Sequence, residues 1–120
     1  MKSCEERIDE HLRSRIEDFK HALKSADEND GKVIISDDEV YDDLIEWINN
    51  YALSYDDDPV YRAKRLELSW GGPSDGFRFF ENADLIEYYF MDWFDGATRT
   101  LYGEDYNIMK EFYDRVLNTE

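Results

Sequence analysis

Ile8, Leu12, Ile16, Phe19 and Leu23 recur at steps of three or four residues, so an amphipathic helix is predicted from about Ser3 to Ser25. Ser3 and Glu6 have capping-box spacing, and the polar face mixes its signs, with Glu5, Glu6 and Asp9 among Arg7, Arg13 and Arg15. The turn residues Asn29, Asp30 and Gly31 break the pattern. The run Val33-Ile34-Ile35 then fits a strand or the approach to another helix equally well. Ser36 with Glu39 repeats the capping-box spacing, and a second helix is expected from there to about Ser54. Its buried stripe reads Val40 or Tyr41, Leu44, Ile45, Ile48, Tyr51 and Ala52. Pro59 disfavours helical geometry at Asp58 and ends that stretch.

From Tyr61 the period falls to two. Leu66, Leu68 and Trp70 alternate with Arg65, Glu67 and Ser69, as in a half-buried antiparallel strand. Gly71, Gly72, Pro73, Asp75 and Gly76 read as a structural turn, "FRFFEN" as a second strand and "LIEYYFMDWF" as a third. "DGATRTLYGED" reads as loop. A last helix, about Glu104 to Leu117, sets Tyr106, Met109, Phe112, Tyr113 and Val116 on one side. The expected fold is α+β, with two N-terminal helices, a three-stranded antiparallel β-sheet and a C-terminal helix. It forms a single domain over 1–120, with an acidic helical part at 1–58, the sheet at 61–95 and the last helix at 104–117.

Composition agrees with a packed domain, since 42% of residues are hydrophobic and 16% aromatic. No run approaches the roughly 20 apolar residues of a membrane-spanning helix. The opening "MKSCEERIDE" has no apolar stretch, and the single cysteine, Cys4, has no internal disulfide partner, so a cytoplasmic protein is expected. Charge is the most unusual property of the chain. Thirty acidic residues stand against fourteen basic ones, a formal −16 that repels nucleic acid and anionic membranes and attracts basic surfaces.

The candidate chemistry is thin. "GGPSDG" resembles a phosphate loop only in its glycines, because a strand follows it, Pro73 removes a donor and Asp75 repels an anion. His11 and His21 lie about 15 Å apart along one helix and do not meet on one substrate atom. Acidic neighbours make Cys4 a poor nucleophile. "DENDGK" has the flavour of a calcium loop in the wrong register. No catalytic residue, metal ligand or cofactor is assigned. The alternative is a metal-dependent enzyme or module around Asp75, Asp92 and Asp95.

Clustered acids outlast this weighing. Asp37, Asp38, Glu39, Asp42, Asp43 and Glu46 crowd one segment, with Asp56, Asp57 and Asp58 beyond it. From Asp27 to Asp58 there are twelve acids and one base, Lys32. On the expected helix, Asp38, Asp42 and Glu46 form a row, and Glu39 with Asp43 forms another beside it. The step along a row is about 6 Å, close to the spacing of nucleic-acid phosphates. Like charges so placed destabilise a helix by a few tenths of a kcal/mol per pair, roughly 1 kcal/mol in all.

The stretch from Leu66 to Ala97, with "LELSW", "GGPSDGF" and "DWFDGA", resembles a family of small proteins from bacteria, archaea and their mobile elements. That resemblance supplies no catalytic residue. In size and charge the chain is also similar in kind to phage anti-CRISPR and anti-restriction inhibitors, many of them DNA mimics. This likeness implies a basic target, a CRISPR effector complex or a restriction enzyme, blocked at its DNA-binding groove. The functional expectation is a non-enzymatic inhibitor binding through the nine acids at Asp37–Glu46 and Asp56–Asp58. An immunity or antitoxin protein directed at a basic nuclease is the other binding class.

Overall fold

Helix α1 (Cys4–Glu28) forms where the apolar spacing predicts it, and the capping box closes as expected. The Ser3 hydroxyl accepts from the Glu6 backbone N–H at 3.2 Å, while the Ser3 N–H donates to the Glu6 carboxylate at 3.0 Å. The computed structural model describes residues 2–118. Among these, α1 is followed by a hairpin of β1 (Val33–Ser36) and β2 (Glu39–Tyr41), then a short helix α2 (Leu44–Tyr51). Five strands come next: β3 (Ser54–Asp57), β4 (Lys64–Ser69), β5 (Ser74–Phe80), β6 (Leu85–Asp92) and β7 (Asp95–Thr100). Helix α3 (Gly103–Phe112) closes the chain and runs into a π-helical turn, Tyr113–Leu117.

The α+β class holds, but the expected three-stranded sheet is a five-stranded antiparallel meander in the order β3-β4-β5-β6-β7. Two strands escaped the periodic reading. β3 carries one aromatic residue, Tyr55, and lies at an edge; β7 ("DGATRT") holds no large apolar residue and takes its register from the aromatic β6. The second helix is also shorter than expected. Residues 37–43 belong to the β1–β2 hairpin and its exit, and Asp43, not Ser36, caps α2 by accepting from the Glu46 N–H at 2.8 Å.

Helices α1 and α3 pack on one face of the sheet, against Leu66, Leu68, Phe77, Phe79, Ile86, Tyr88 and Phe90. Phe19 sits at the centre, edge-on to Trp47, Phe77 and Phe112. The expectations that Trp70 and Ile45 are core residues fail. Trp70 follows β4 at the turn, outside the alternation, and Ile45 points outward from α2. No helix among the described residues is long and apolar enough to cross a membrane.

The "GGPSDG" stretch splits in two. Gly71, with φ +97°, and Gly72 belong to the β4–β5 turn, whereas Asp75 and Gly76 lie inside β5. A bulge in β4 sets Ser69 opposite Asp75. Asp75, only 3% exposed, is the polar centre of the helix–sheet interface. Arg15 grips it with two parallel hydrogen bonds, Nε to Oδ2 at 2.8 Å and Nη2 to Oδ1 at 2.9 Å. Tyr88 Oη donates to Oδ2 and Ser69 Oγ to Oδ1, each at 2.5 Å. Burial raises the pKa of this carboxyl, but Arg15, Ser69 and Tyr88 outweigh it and hold the value below the ordinary carboxylate range.

Two outcomes follow for stability. Because the folded pKa of Asp75 is depressed, its contribution is complete above the unfolded value of about 3.9 and is lost as pH falls through the folded one. Asp75→Asn leaves Arg15 uncompensated and is expected to cost about 3 kcal/mol at neutral pH. Urea unfolding of the two proteins between pH 7 and 3 is expected to show that gap narrowing toward acid. In the second case, a Cβ on Gly76 would stand 2.3 Å from the Leu66 carbonyl oxygen and 2.9 Å from the Tyr89 ring, whereas one on Gly72 meets nothing within 4 Å. Gly76→Ala is therefore expected to cost about 3 kcal/mol and Gly72→Ala less than about 0.5, read from urea midpoints.

Candidate functional site

The hairpin that carries Asp37 and Asp38 is fixed to the C-terminal half of α1. Val33 is buried, and the Ser25 hydroxyl donates to the Lys32 carbonyl at 3.1 Å while accepting the Ile34 N–H at 2.8 Å. His21 Nε2 adds a hydrogen bond to the Ile34 carbonyl at 3.1 Å. These ties hold the β1–β2 turn against a long helix.

Asp37 and Asp38 form that turn, Glu39 begins β2, and Asp42 leads into α2, so the expected helical rows of carboxylates do not exist. The acids are nevertheless brought together on one exposed segment. Three of them have local work: Glu39 accepts from Tyr41 Oη at 2.6 Å, Asp43 caps α2, and Glu46 accepts the Asp42 N–H at 2.8 Å. Ile34, Ile35, Val40 and Ile45 are exposed on the same segment, which mixes carboxylates with aliphatic surface.

Cations are spent elsewhere. Arg7 pairs with Asp92 at 2.7 Å, Arg13 with Asp105 at 2.7 Å, and Arg99 with Glu5 and Asp9 at 2.9 Å, all joining α1 to the sheet or to the start of α3. On the outer sheet face, Arg78 lies between the Tyr61 and Tyr89 rings and bonds Asp58 at 3.0 Å and Glu87 at 2.9 Å. Among the described residues, none of the six acids from Asp37 to Glu46 forms an ion pair. From Val33 to Tyr61 the chain has no basic residue at all.

The second acidic group behaves differently. Asp58 is buried; burial opposes its ionisation, yet the N–H groups of Tyr61 and Val60 and the Arg78 guanidinium hold its pKa below the usual range. Asp57 pairs with Lys64 at 2.7 Å, and Asp56 stays exposed on the edge strand β3. These three belong to the large sheet, and the hairpin acids do not.

The alternative carboxylate set is split: Asp92 and Asp95 face each other across the β6–β7 turn, and Asp75 is held apart from them by Arg15. Asp75 is sealed under α1, Asp92 pairs with Arg7, and Asp95 accepts the backbone N–H of Cys4 at 2.7 Å, which lowers its pKa. Among the described residues no group of His, Cys, Asp and Glu is placed to hold a metal ion. Cys4 is buried, and burial with the Asp95 charge raises its pKa. Sequence reasoning missed the load that Asp75 carries. Its one signal was an acid placed between a turn and an aromatic strand, with Arg15 available beside Ile16 on the first helix.

Comparisons with protein-family models, with curated proteins and with solved structures found no match to this chain.

A purely structural role for the hairpin acids and an uncompensated surface differ in stability. Asp37→Asn/Asp38→Asn/Asp42→Asn removes repulsion without touching the cap, so the variant is expected to match or exceed wild type by up to about 1 kcal/mol at low salt. At about 1 M salt, where the screening length falls to about 3 Å, the difference is expected to vanish. Thermal melts at both salt concentrations measure it.

Proposed function

We propose that this chain is a non-enzymatic binding protein for a basic protein surface, and that the exposed segment from Ile34 to Glu46 is its contact face. One observation carries the reading: in a chain with fourteen basic residues, no ion pair among the described residues joins a base to the acids of this segment. Leaving carboxylates without counter-charges costs stability, and a basic partner supplies the missing cations. The aliphatic residues between the acids favour a protein partner, since they gain from burial once charge has brought the surfaces together.

The target class is the basic nucleic-acid groove of a partner protein, from which the bound chain excludes DNA or RNA; host defence complexes, CRISPR effectors and restriction enzymes belong to this class. The carboxylates need not match phosphate spacing to bind such a groove. Acid density, a fixed backbone and, among the described residues, the absence of ion-pair partners on that face support the contact.

Three features are expected in binding to a basic nucleic-acid-binding partner captured from host cells: affinity falling steeply with salt, competition by DNA, and loss of tenfold or more in Asp37→Lys/Asp38→Lys/Asp42→Lys. Glu39, Asp43 and Glu46 are left intact in this variant because each already makes a local hydrogen bond. A triple variant that binds as tightly as wild type, or binding that DNA does not displace, overturns the proposal.

A further inference from the structure

At the other end of α1 the surface is aromatic. The β4–β5 and β6–β7 connections lie at the same end of the meander, about 10 Å apart by strand spacing. They present Trp70, 76% exposed, with Trp93 at 86% and Phe94 at 104%. Met91 is exposed beside them on β6.

Trp93 carries a further sign. Asp92 pairs with Asp95, so Trp93 and Phe94 are the whole β6–β7 turn, and Trp93 has φ +59° while Phe94 does not have positive φ. A two-residue turn with positive φ only at its first central position favours glycine there. In that region a Cβ is crowded against the following carbonyl oxygen, so a side chain there is strained. The indole recovers little inside the chain, because it is mostly exposed. A strained residue with so small an internal return points to a contact made outside the molecule.

We infer that this aromatic end is a two-fold interface with a second copy of the chain. Charge selects that occupant. The arginines and carboxylates nearest the end are satisfied within the chain, Arg7 with Asp92, Arg99 with Asp9 and Glu5, and Asp95 on the N–H groups of Cys4 and Gly96, while the exposed Lys2 beside Trp93 adds one positive charge per copy. The surface therefore offers apolar area with little free charge to select a foreign partner, and an isologous contact needs only self-complementary shape. The unpaired acidic hairpin is tied to α1 at Ser25, about 30 Å along the helix from Cys4, which is several screening lengths at physiological salt. Two copies meeting tip to tip keep their acidic ends apart, whereas contact through the hairpins would oppose like charges.

The area is of the right order. Three aromatic side chains of roughly 150–250 Å² each supply on the order of 500 Å² per copy, against about 800 Å² per partner in a stable interface of standard size. Met91 and the turn backbones extend that patch.

Sedimentation velocity across a concentration series to about 0.1 mM, in physiological salt, tests the inference on the full chain. The expected result is a species of twice the 14.4 kDa chain mass, replaced by the single-chain mass in Trp93→Gly/Phe94→Ser. Glycine removes the strained conformation, so this variant keeps its fold, and far-ultraviolet circular dichroism checks that it does. Asp37→Asn/Asp38→Asn/Asp42→Asn is expected to dimerise as wild type does, which separates this surface from the acidic one. A wild-type chain of single mass throughout, or a variant that still dimerises, overturns the inference. So does co-sedimentation of a single-mass chain with phosphatidylcholine vesicles, which assigns the end to lipid.

Discussion

The fold hangs on one buried ion pair. Arg15 reaches from the polar side of α1 to Asp75 in the middle of the sheet, and Tyr88 and Ser69 complete the carboxylate's hydrogen bonds. An ion pair in such a place gains little over a well-packed apolar pair, but it becomes costly when one partner is missing. It acts by fixing position. Arg15 also donates to Tyr51 Oη, which donates to Asp18, so the register of α1 is passed to α2. The β4 bulge exists in the one place that lets Ser69 face Asp75, and Gly76 follows because the Leu66 carbonyl and the Tyr89 ring leave no room for a Cβ. The Asp75-Gly76 step of β5 is thus a pair of electrostatic and steric requirements at the helix–sheet seam.

That use of cations decides where the surplus negative charge lies. With more than twice as many acids as bases, any arrangement leaves acids unpaired, but it need not concentrate them. Here the arginines join distant parts of the chain, as Arg7, Arg13, Arg15 and Arg99 do, or fill the outer sheet face, as Arg65 and Arg78 do. The segment from Ile34 to Glu46 has no base of its own and, among the described residues, receives none from elsewhere. Its charge is a consequence of how the rest of the structure is held together, and a basic surface is what would relieve it.

The legible parts of the sequence were those where one face is apolar over several periods. Helix α1, the last helix and strands β4 to β6 have that property. β7 does not: its partner β6 carries the aromatic residues, and an edge strand can be specified almost wholly by its neighbour. The hairpin failed for a related reason. Ser36 and Glu39 have capping-box spacing, but they are also the pair that faces across the Asp37–Asp38 turn, and spacing alone does not separate a cap from a tight turn. The acids from Asp37 to Glu46 share one exposed segment apart from Asp56–Asp58, and the helical rows expected of them come from the wrong local period. Asp75 read as a turn residue because its partner lies sixty positions away, where no local pattern reports it.

A single rigid helix then relates two unlike surfaces. The N-terminus of α1 is pinned to the β6–β7 hairpin by Cys4 and Arg7, and its C-terminal half holds the acidic hairpin by Ser25 and His21. Between these points the Arg15–Asp75 pair and the apolar stripe prevent the helix from sliding or rolling. Charge repulsion alone would drive the acidic hairpin away from the body of a −16 chain, so its attachment has to come from apolar burial at Val33 and neutral hydrogen bonds, and it does. Because those ties do not depend on salt, the acidic surface keeps its shape at ionic strengths that screen its charge. The field of the acids is therefore free to vary with salt while the fold that presents them stays fixed.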